Sequence, residues 1–178
     1  HHVLDGWFER VVRPRLRGQA HLIRYADDFV IAFEHEDDAR QVMAVLPKRF
    51  ERFKLKLHPD KTRLLPFDRP PRGKMEGKGP ATFDFLGFTF HWTRRRAGYW
   101  MPDFTTRTAR LRRAITAVAD YCRGHRHQPV KEQHAAIKSR LLGHFNYFGV
   151  NGNIRRLKML VHEVEHFWHK WLARRSQR

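Results

Sequence analysis

The sequence predicts an α+β fold, in which a mixed region of antiparallel strands and helices is followed by helices alone. Runs rich in β-branched and aromatic residues, bounded by turn residues, occur within the first 102 positions and predict strands. Apolar residues recur at helical spacing through most of the remaining chain. The sequence therefore predicts two domains, a mixed domain at residues 1–102 and a helical domain at residues 103–178.

Two helices are predicted before residue 66. Apolar side chains recur at near-helical spacing between positions 4 and 16, and Pro14 is expected to end or kink this helix because proline has no backbone N–H. An apolar stripe from position 39 to position 53 predicts a second helix, although Pro47 lies within it.

The strands are predicted in three places. Residues 21–33 contain two β-prone runs on either side of two adjacent aspartates, which predicts a hairpin with carboxylates at its tip. Residues 54–65 predict two short strands around a His-Pro-Asp turn. Residues 83–92 and 98–101 predict a second hairpin, joined by the arginines at 94–96.

Three amphipathic helices are predicted in the last third of the chain, over residues 111–122, 130–148 and 154–171. Glycine and proline residues separate them, so the connections are short and a small antiparallel bundle is expected. A Pro/Gly/Lys-rich stretch at residues 66–80 predicts a loop before the second hairpin.

The charge of the chain points to a polyanionic partner. Lys and Arg total 36 and Asp and Glu total 18, a net charge of +18, while 41% of the residues are hydrophobic. Residues 1–66 have a net charge of +3 and residues 67–178 a net charge of +15. A folded chain with such an excess favours nucleic acid as its partner, with an anionic membrane surface as second choice.

Two classes of protein are excluded by composition. The single cysteine, Cys122, excludes a scaffold held by internal disulfides. No apolar run approaches the roughly 20 residues that cross a bilayer, and no signal region opens the chain. We expect a cytoplasmic protein that associates with nucleic acid and not with a membrane. The chain begins at His1, which favours a fragment cut inside a domain.

The predicted hairpin tip, Tyr25-Ala26-Asp27-Asp28, is the most informative segment. Two adjacent carboxylates repel one another unless a cation neutralises them, and hard oxygen ligands suit Mg²⁺ or Mn²⁺. A pair of such ions can activate a 3′-hydroxyl and stabilise a leaving pyrophosphate in phosphoryl transfer. The alternative is a polar turn on a surface hairpin, where Asp is common.

The sequence resembles the C-terminal part of a group II intron reverse transcriptase/maturase, from about residue 3 to residue 175. Tyr25-Ala26-Asp27-Asp28 is similar to the signature box of reverse transcriptases. Four segments are similar to the family's fifth, sixth and seventh sequence blocks and to its thumb, in this order: 24–31, 55–62, 83–88 and 142–148.

The resemblance implies a partial reverse-transcriptase palm, an antiparallel sheet with helices, followed by a three-helix thumb bundle. It implies RNA-directed DNA synthesis with Mg²⁺ or Mn²⁺, and binding of group II intron RNA to aid splicing and mobility. The implied partners are intron RNA, an RNA template/DNA primer duplex and dNTPs. The implied catalytic and metal-binding residues are Asp27 and Asp28, and the implied substrate-binding residues are Tyr25, Ala26, Lys61, Leu86 and Gly87.

One part of the family pattern is missing from this chain. The family's metal site requires another aspartate from an earlier strand, so we expect this fragment to be inactive as a polymerase by itself. A non-catalytic RNA-binding splicing cofactor is the alternative function.

Residues 162–166 fit the H-E-x-x-H pattern, which makes a zinc hydrolase the remote alternative. His162 and His166 would be zinc ligands and Glu163 the general base. No third ligand is evident, since Glu165 is the last acidic residue and the extended pattern fails at His169.

Basic residues of the predicted helices form the candidate RNA-binding surface. Arginine forks grip phosphates, and exposed aromatic residues could stack on bases. The candidate RNA-binding residues are Arg107, Arg110, Arg112, Arg113, Lys138, Arg155, Arg156 and Lys158.

Overall fold

The structure is a computed structural model that describes residues 3–71 and 81–175. The chain forms two compact units, residues 1–67 and residues 68–178. Both units combine sheet and helix, so the predicted α+β class is confirmed. The boundary between the two compact units lies after residue 67. The predicted boundary between the two functional domains, after residue 102, is a different division and stays a prediction.

The first unit opens with a helical segment that changes pitch twice. Helix α1 (Asp5–Trp7) continues into a π-helical turn at Phe8–Val12 and a 3₁₀ turn at Arg13–Arg15. Leu16 is already extended, with ψ of 151°. The predicted helix is therefore confirmed, and it ends next to Pro14, which cannot donate a backbone hydrogen bond.

A two-stranded antiparallel hairpin follows, formed by β1 (Ala20–Tyr25) and β2 (Asp28–Phe33). Tyr25 faces Asp28 across the pair, so the connecting turn has only two residues. Ala20 and Leu22 point to the core, whereas Ile23 and Tyr25 point outward and are 57% and 64% exposed. The predicted hairpin with aspartates at its tip is confirmed.

Helix α2 (Glu36–Glu51) packs on the inner face of this hairpin and includes Pro47. The carboxylate of Asp38 is buried and accepts the backbone N–H groups of Arg17 and Gly18, at 2.9 and 3.1 Å. This contact ties the start of α2 to the segment before β1. The buried core of the unit consists of Leu4, Phe8, Val12, Ala20, Val42 and Leu46.

The prediction of two strands over residues 54–65 is wrong. The segment has no regular strand, and it turns where the His58 carbonyl accepts the backbone N–H groups of Lys61 and Thr62. A strand needs a neighbour to take its backbone hydrogen bonds, and no strand in the described part of the chain pairs with this segment. Leu55 and Leu65 accordingly remain more than 40% exposed.

The second unit contains a three-stranded antiparallel sheet in the order β3-β4-β5, formed by Phe83–Phe85, Phe88–Arg94 and Trp100–Thr106. The prediction of one hairpin was incomplete, because Leu86 and Gly87 break the first run into two strands. Both have positive φ, +50° and +79°, as a tight two-residue hairpin turn of the primed type requires. The predicted loop at 66–80 shows no regular structure over residues 66–71, and its remainder lies outside the described residues.

Three helices complete the second unit: α3 (Thr108–Gly124), α4 (Val130–Phe148) and α5 (Ile154–Ala173). The predicted three-helix arrangement is confirmed. Their shared core consists of Leu111, Val118, Cys122, Ile137, Leu160 and Val164. Among the described helices, none has the length and hydrophobicity needed to cross a membrane.

Asn153 connects the sheet to the helices of this unit. It is fully buried in the loop between α4 and α5, and its Oδ1 accepts the backbone N–H of Thr106 at 2.9 Å. Its Nδ2 donates to Thr106 Oγ1 at 2.7 Å and to the Phe148 carbonyl at 2.8 Å. One side chain therefore holds the end of β5 against the end of α4.

We expect Asn153→Ala to destabilise the second unit by about 2 kcal/mol or more, since each buried polar group left unpaired costs about 1–3 kcal/mol. Urea unfolding followed by circular dichroism measures the loss. Asn151→Ala, an exposed position in the same loop, is the matched control and should be close to neutral. Equal effects of the two changes would contradict a structural role for the buried amide.

Candidate functional site

The two candidate catalytic carboxylates lie at the tip of the β1–β2 hairpin. Ala26 and Asp27 form the turn, and Ala26 has φ of +51°, a left-handed conformation that alanine rarely adopts. Asp28 is the first residue of β2 and faces Tyr25. All four residues are exposed, so the turn is open to a ligand.

Arg24 braces this turn from the inner face of the hairpin. Its Nε and Nη2 donate to the two carboxylate oxygens of Asp5, at 2.6 and 2.8 Å, and its Nη1 donates to the Ala26 carbonyl at 2.8 Å. The pKa of Asp5 is lowered from its ordinary value, chiefly because the carboxylate accepts hydrogen bonds from Arg24. This brace was not predicted from the sequence, although a charged residue at an inward position of β1 was a signal for it.

Asp27 and Asp28 provide the oxygen ligands that Mg²⁺ prefers, and the exposed turn leaves their lone pairs accessible. Within residues 3–71 and 81–175, however, no group of three or more His, Cys, Asp or Glu side chains could hold a metal ion. The pair therefore fits a hard divalent cation in its chemistry, but two carboxylates are fewer ligands than such a group of three.

Lys61 lies in the 58–62 turn of the same unit. Its backbone N–H donates to the His58 carbonyl at 3.2 Å, and Thr62 donates to the same oxygen through its backbone N–H and its hydroxyl, at 3.0 and 2.9 Å. The Lys61 side chain is exposed and forms no ion pair with any described residue. The local hydrogen bonds fix the turn and leave the ammonium group available.

The Leu86–Gly87 turn of the second unit is held from two sides. The Tyr147 hydroxyl donates to the Leu86 carbonyl at 2.9 Å, and the Arg107 backbone N–H donates to the Gly87 carbonyl at 2.9 Å. A Cβ on Gly87 would lie 3.3 Å from the Phe148 ring. The start of α3 and the end of α4 thus fix both residues of the turn.

Two of the candidate RNA-binding arginines lie beside this turn. Arg107 forms an ion pair with Asp84 at 2.9 Å. The Cγ atom of Arg110 lies 3.9 Å from the position of a Cβ on Gly87, and its guanidinium forms no ion pair with a described residue. Arg110 therefore lies beside this turn with no acidic partner among the described residues.

The other candidate RNA-binding residues are distributed over all three helices. None of them forms an ion pair within the described part of the chain, and all except the half-buried Arg156 are exposed. They are Arg112 and Arg113 on α3, Lys138 on α4, and Arg155, Arg156 and Lys158 on α5. Unpaired cations are the groups that a polyanion can neutralise.

Two titratable groups of the helices, the half-buried His144 and the buried Cys122, have pKa values shifted by burial. Burial lowers the pKa of His144, whose ring packs against Phe148 with centroids 4.5 Å apart. Cys122 is fully buried in the core of the helices, and this burial raises the pKa of its thiol.

The H-E-x-x-H pattern lies on α5. His162 and His166 are exposed, and Glu163 is half-buried. No third side chain completes a metal site with them among the described residues. The pair alone does not provide the three protein ligands of a catalytic zinc.

We expect Gly87→Ala to be more destabilising than Gly98→Ala. Both glycines have positive φ, +79° and +85°, so alanine is strained at either position by about 1–2 kcal/mol. Only at Gly87 does the new methyl group also contact a ring, while Gly98 has nothing within 4 Å. Urea unfolding should show an additional loss of about 1 kcal/mol for Gly87→Ala. Equal losses would show that the Phe148 contact does not constrain the turn.

Comparisons with known proteins bear on the first half of the chain. A family model described as "Reverse transcriptase (RNA-dependent DNA polymerase)" matches residues 2–90. The match includes the Asp27–Asp28 turn and the Leu86–Gly87 turn. No curated protein and no solved structure matches the chain. The matched region is half of the chain, and we conclude that the chain belongs to the reverse transcriptase family.

Proposed function

We propose that this chain is the C-terminal part of a group II intron reverse transcriptase/maturase, which copies RNA into DNA and binds its intron RNA to aid splicing. The observation that carries the proposal is the pair of exposed carboxylates at the tip of a braced hairpin, within the region matched by the reverse transcriptase family. The exposed, unpaired cations of the helical bundle support the RNA-binding part.

In the proposed polymerase, Asp27 and Asp28 contribute ligands for Mg²⁺ or Mn²⁺. Bound ions of this kind lower the pKa of a primer 3′-hydroxyl and stabilise the pyrophosphate leaving group. Tyr25 and Ala26 lie beside the carboxylates and are assigned to the incoming nucleotide. Lys61 is assigned to its phosphates, because its ammonium group is exposed and unpaired in the described structure.

The Leu86–Gly87 turn is assigned to the primer strand. Contacts from Tyr147 and Arg107 hold the two carbonyls of this turn, so the turn offers a fixed support for a strand. Arg110 lies beside the turn and offers a guanidinium that can bind a phosphate with two parallel hydrogen bonds. The turn would then support the strand while Arg110 neutralises its charge.

The division of roles follows the proposed domains, with residues 1–102 as the end of the palm and residues 103–178 as the thumb and maturase domain. The acidic pair lies in the first of these and the candidate RNA-binding cations in the second. Because the chain itself lacks a complete set of metal ligands among its described residues, we propose that another aspartate of the intact protein completes the site.

We expect residues 1–178 alone to give no primer extension on an RNA template with Mg²⁺ and dNTPs. The same region preceded by its upstream coding sequence should extend the primer. In that longer protein, Asp27→Asn should lower the rate by at least about 100-fold, the effect of losing one charge-stabilising group at a transition state. Gel-based primer extension measures the rate.

Asp37→Asn is the matched control for this experiment. Asp37 is exposed in the first turn of α2, and its ion pair with Arg17 lies on the surface at 3.5 Å. This change should leave primer extension unaltered. Extension by the short chain, or full activity after Asp27→Asn, would show that the carboxylate pair is not the polymerase metal site.

The second candidate function is a non-catalytic RNA-binding splicing cofactor. The incomplete metal site and the strongly basic helical region favour it. The change Asp27→Asn distinguishes the two functions. If DNA synthesis is unaffected by this change and the protein still promotes RNA splicing, the results would support the function of a non-catalytic splicing cofactor.

Binding to structured RNA should weaken steeply as salt rises, because every neutralised phosphate releases counterions. In a filter-binding titration, the double change Arg110→Gln and Arg113→Gln should reduce the slope of log K against log salt. Each lost phosphate contact removes about 0.7–0.9 from that slope. Arg10→Gln with Arg15→Gln, two exposed arginines of the first unit, changes the net charge equally and should leave the slope nearly unaltered. A flat response in the unmodified chain would contradict phosphate recognition.

A further inference from the structure

We propose that Arg24 is a positioning residue for the candidate catalytic carboxylates, and that Asp5 is its essential partner. The proposal has two parts. The first is that the contacts of Arg24 set the shape of the turn, and it depends on those contacts alone. The second is that this shape is required for cation binding, and it rests on the proposed function.

The contacts of Arg24 join three parts of the first unit. The guanidinium forms a two-point ion pair with Asp5 of α1, at 2.6 and 2.8 Å, and donates a third hydrogen bond to the Ala26 carbonyl at 2.8 Å. Only 23% of the Arg24 side chain and 33% of the Asp5 side chain are exposed. A planar guanidinium held at two points has little freedom, so its third bond fixes the position of the Ala26 carbonyl.

The turn needs such a constraint. Ala26 has φ of +51°, a region that two-residue hairpin turns usually fill with Gly, Asn or Asp. Alanine has no polar side-chain atom with which to stabilise this conformation. The hydrogen bond from Arg24 to the Ala26 carbonyl is therefore the contact that opposes relaxation of the turn. Asp27 follows Ala26 directly, so the shape of the turn also sets the position of this carboxylate.

Asp5 also has an electrostatic role in the arrangement. The Arg24 charge acts most strongly on Asp5, by hydrogen bonding and Coulomb attraction, and it also acts on Asp27. A guanidinium without Asp5 would be an uncompensated positive charge close to a cation site. The ion pair lets Arg24 hold the turn without its full charge opposing a bound divalent ion.

Mn²⁺ binding to the 178-residue chain, measured by the electron paramagnetic resonance of the free ion, tests the proposal. A purely electrostatic role predicts that Arg24→Gln binds Mn²⁺ more tightly, because a positive charge is removed. A positioning role predicts weaker binding, by about tenfold, as for other residues that orient metal ligands. Unchanged or tighter binding by Arg24→Gln would overturn the proposal.

Arg24→Lys and Asp5→Asn provide independent variants, should Arg24→Gln unfold. Lysine keeps the charge but cannot form the fork, so it should also weaken binding. Asp5→Asn should weaken binding because the charge of Arg24 is no longer compensated. Arg40→Gln, which removes the exposed Arg40–Glu36 pair of α2, is the matched control and should bind as the unmodified chain does.

Amide hydrogen exchange separates this inference from the proposed function. If the single change Asp27→Asn leaves Mn²⁺ binding unaltered, the proposed metal site is wrong. In that case only the hydrogen-exchange measurement tests whether Arg24 holds the turn. Loss of Arg24 should accelerate exchange at residues 26–28 relative to Arg40→Gln, because the turn relaxes. Unaltered exchange at these amides would overturn the brace, whatever the metal result.

Discussion

Each of the two units has a hairpin turn in which an ordinary residue is held in a left-handed conformation. Ala26 in the first unit and Leu86 in the second have φ of +51° and +50°, values that L-residues adopt only at a cost of about 1–2 kcal/mol. In each case a side chain of the same unit donates a hydrogen bond to the carbonyl of that residue. Arg24, anchored on Asp5 of α1, binds the Ala26 carbonyl, and Tyr147 of α4 binds the Leu86 carbonyl. Strain held in this way is typical of functional positions.

The charges of the two units are used in different ways. In the first unit, four arginines are paired with acids. Arg13–Glu9 and Arg40–Glu36 lie one turn apart along helical segments, whereas Arg17–Asp37 and Arg24–Asp5 join residues that are distant in sequence. In the second unit, most of the candidate RNA-binding cations have no acidic partner within the described residues. Paired cations stabilise the protein itself, whereas unpaired ones carry the counterions that a nucleic acid displaces. The basic excess of the chain is therefore available to a partner mainly in the second unit.

Periodic patterns made the main elements predictable. Helices α3 to α5 and the β1–β2 hairpin follow from local spacing, because burial on one face is encoded residue by residue. The segment 54–65 was assigned wrongly, since a β-prone pattern does not reveal whether a neighbouring strand exists. The Leu86–Gly87 turn was hidden within an aromatic run, where leucine gives no sign of a positive φ. The Arg24–Asp5 brace joins residues 19 apart, and only the tertiary structure brings them together.

The contacts of the other acids in the first unit show why Asp27 and Asp28 are the adjacent carboxylates that remain open to a cation. Most of them have a partner within the described structure. Four form ion pairs with arginines: Asp5 with Arg24, Glu9 with Arg13, Glu36 with Arg40 and Asp37 with Arg17. The other two accept backbone N–H groups, Glu34 from Gln19 and Asp38 from Arg17 and Gly18. Asp60 lies 3.9 Å from His58, a weak surface contact. Asp27, Asp28 and Glu51 accept no hydrogen bond from a described residue, and Glu51 stands alone at the end of α2. Two adjacent carboxylates without donors repel one another, and a divalent cation relieves that repulsion most directly. Asp27 and Asp28 are therefore the neighbouring carboxylates of this unit that no donor within its described residues neutralises.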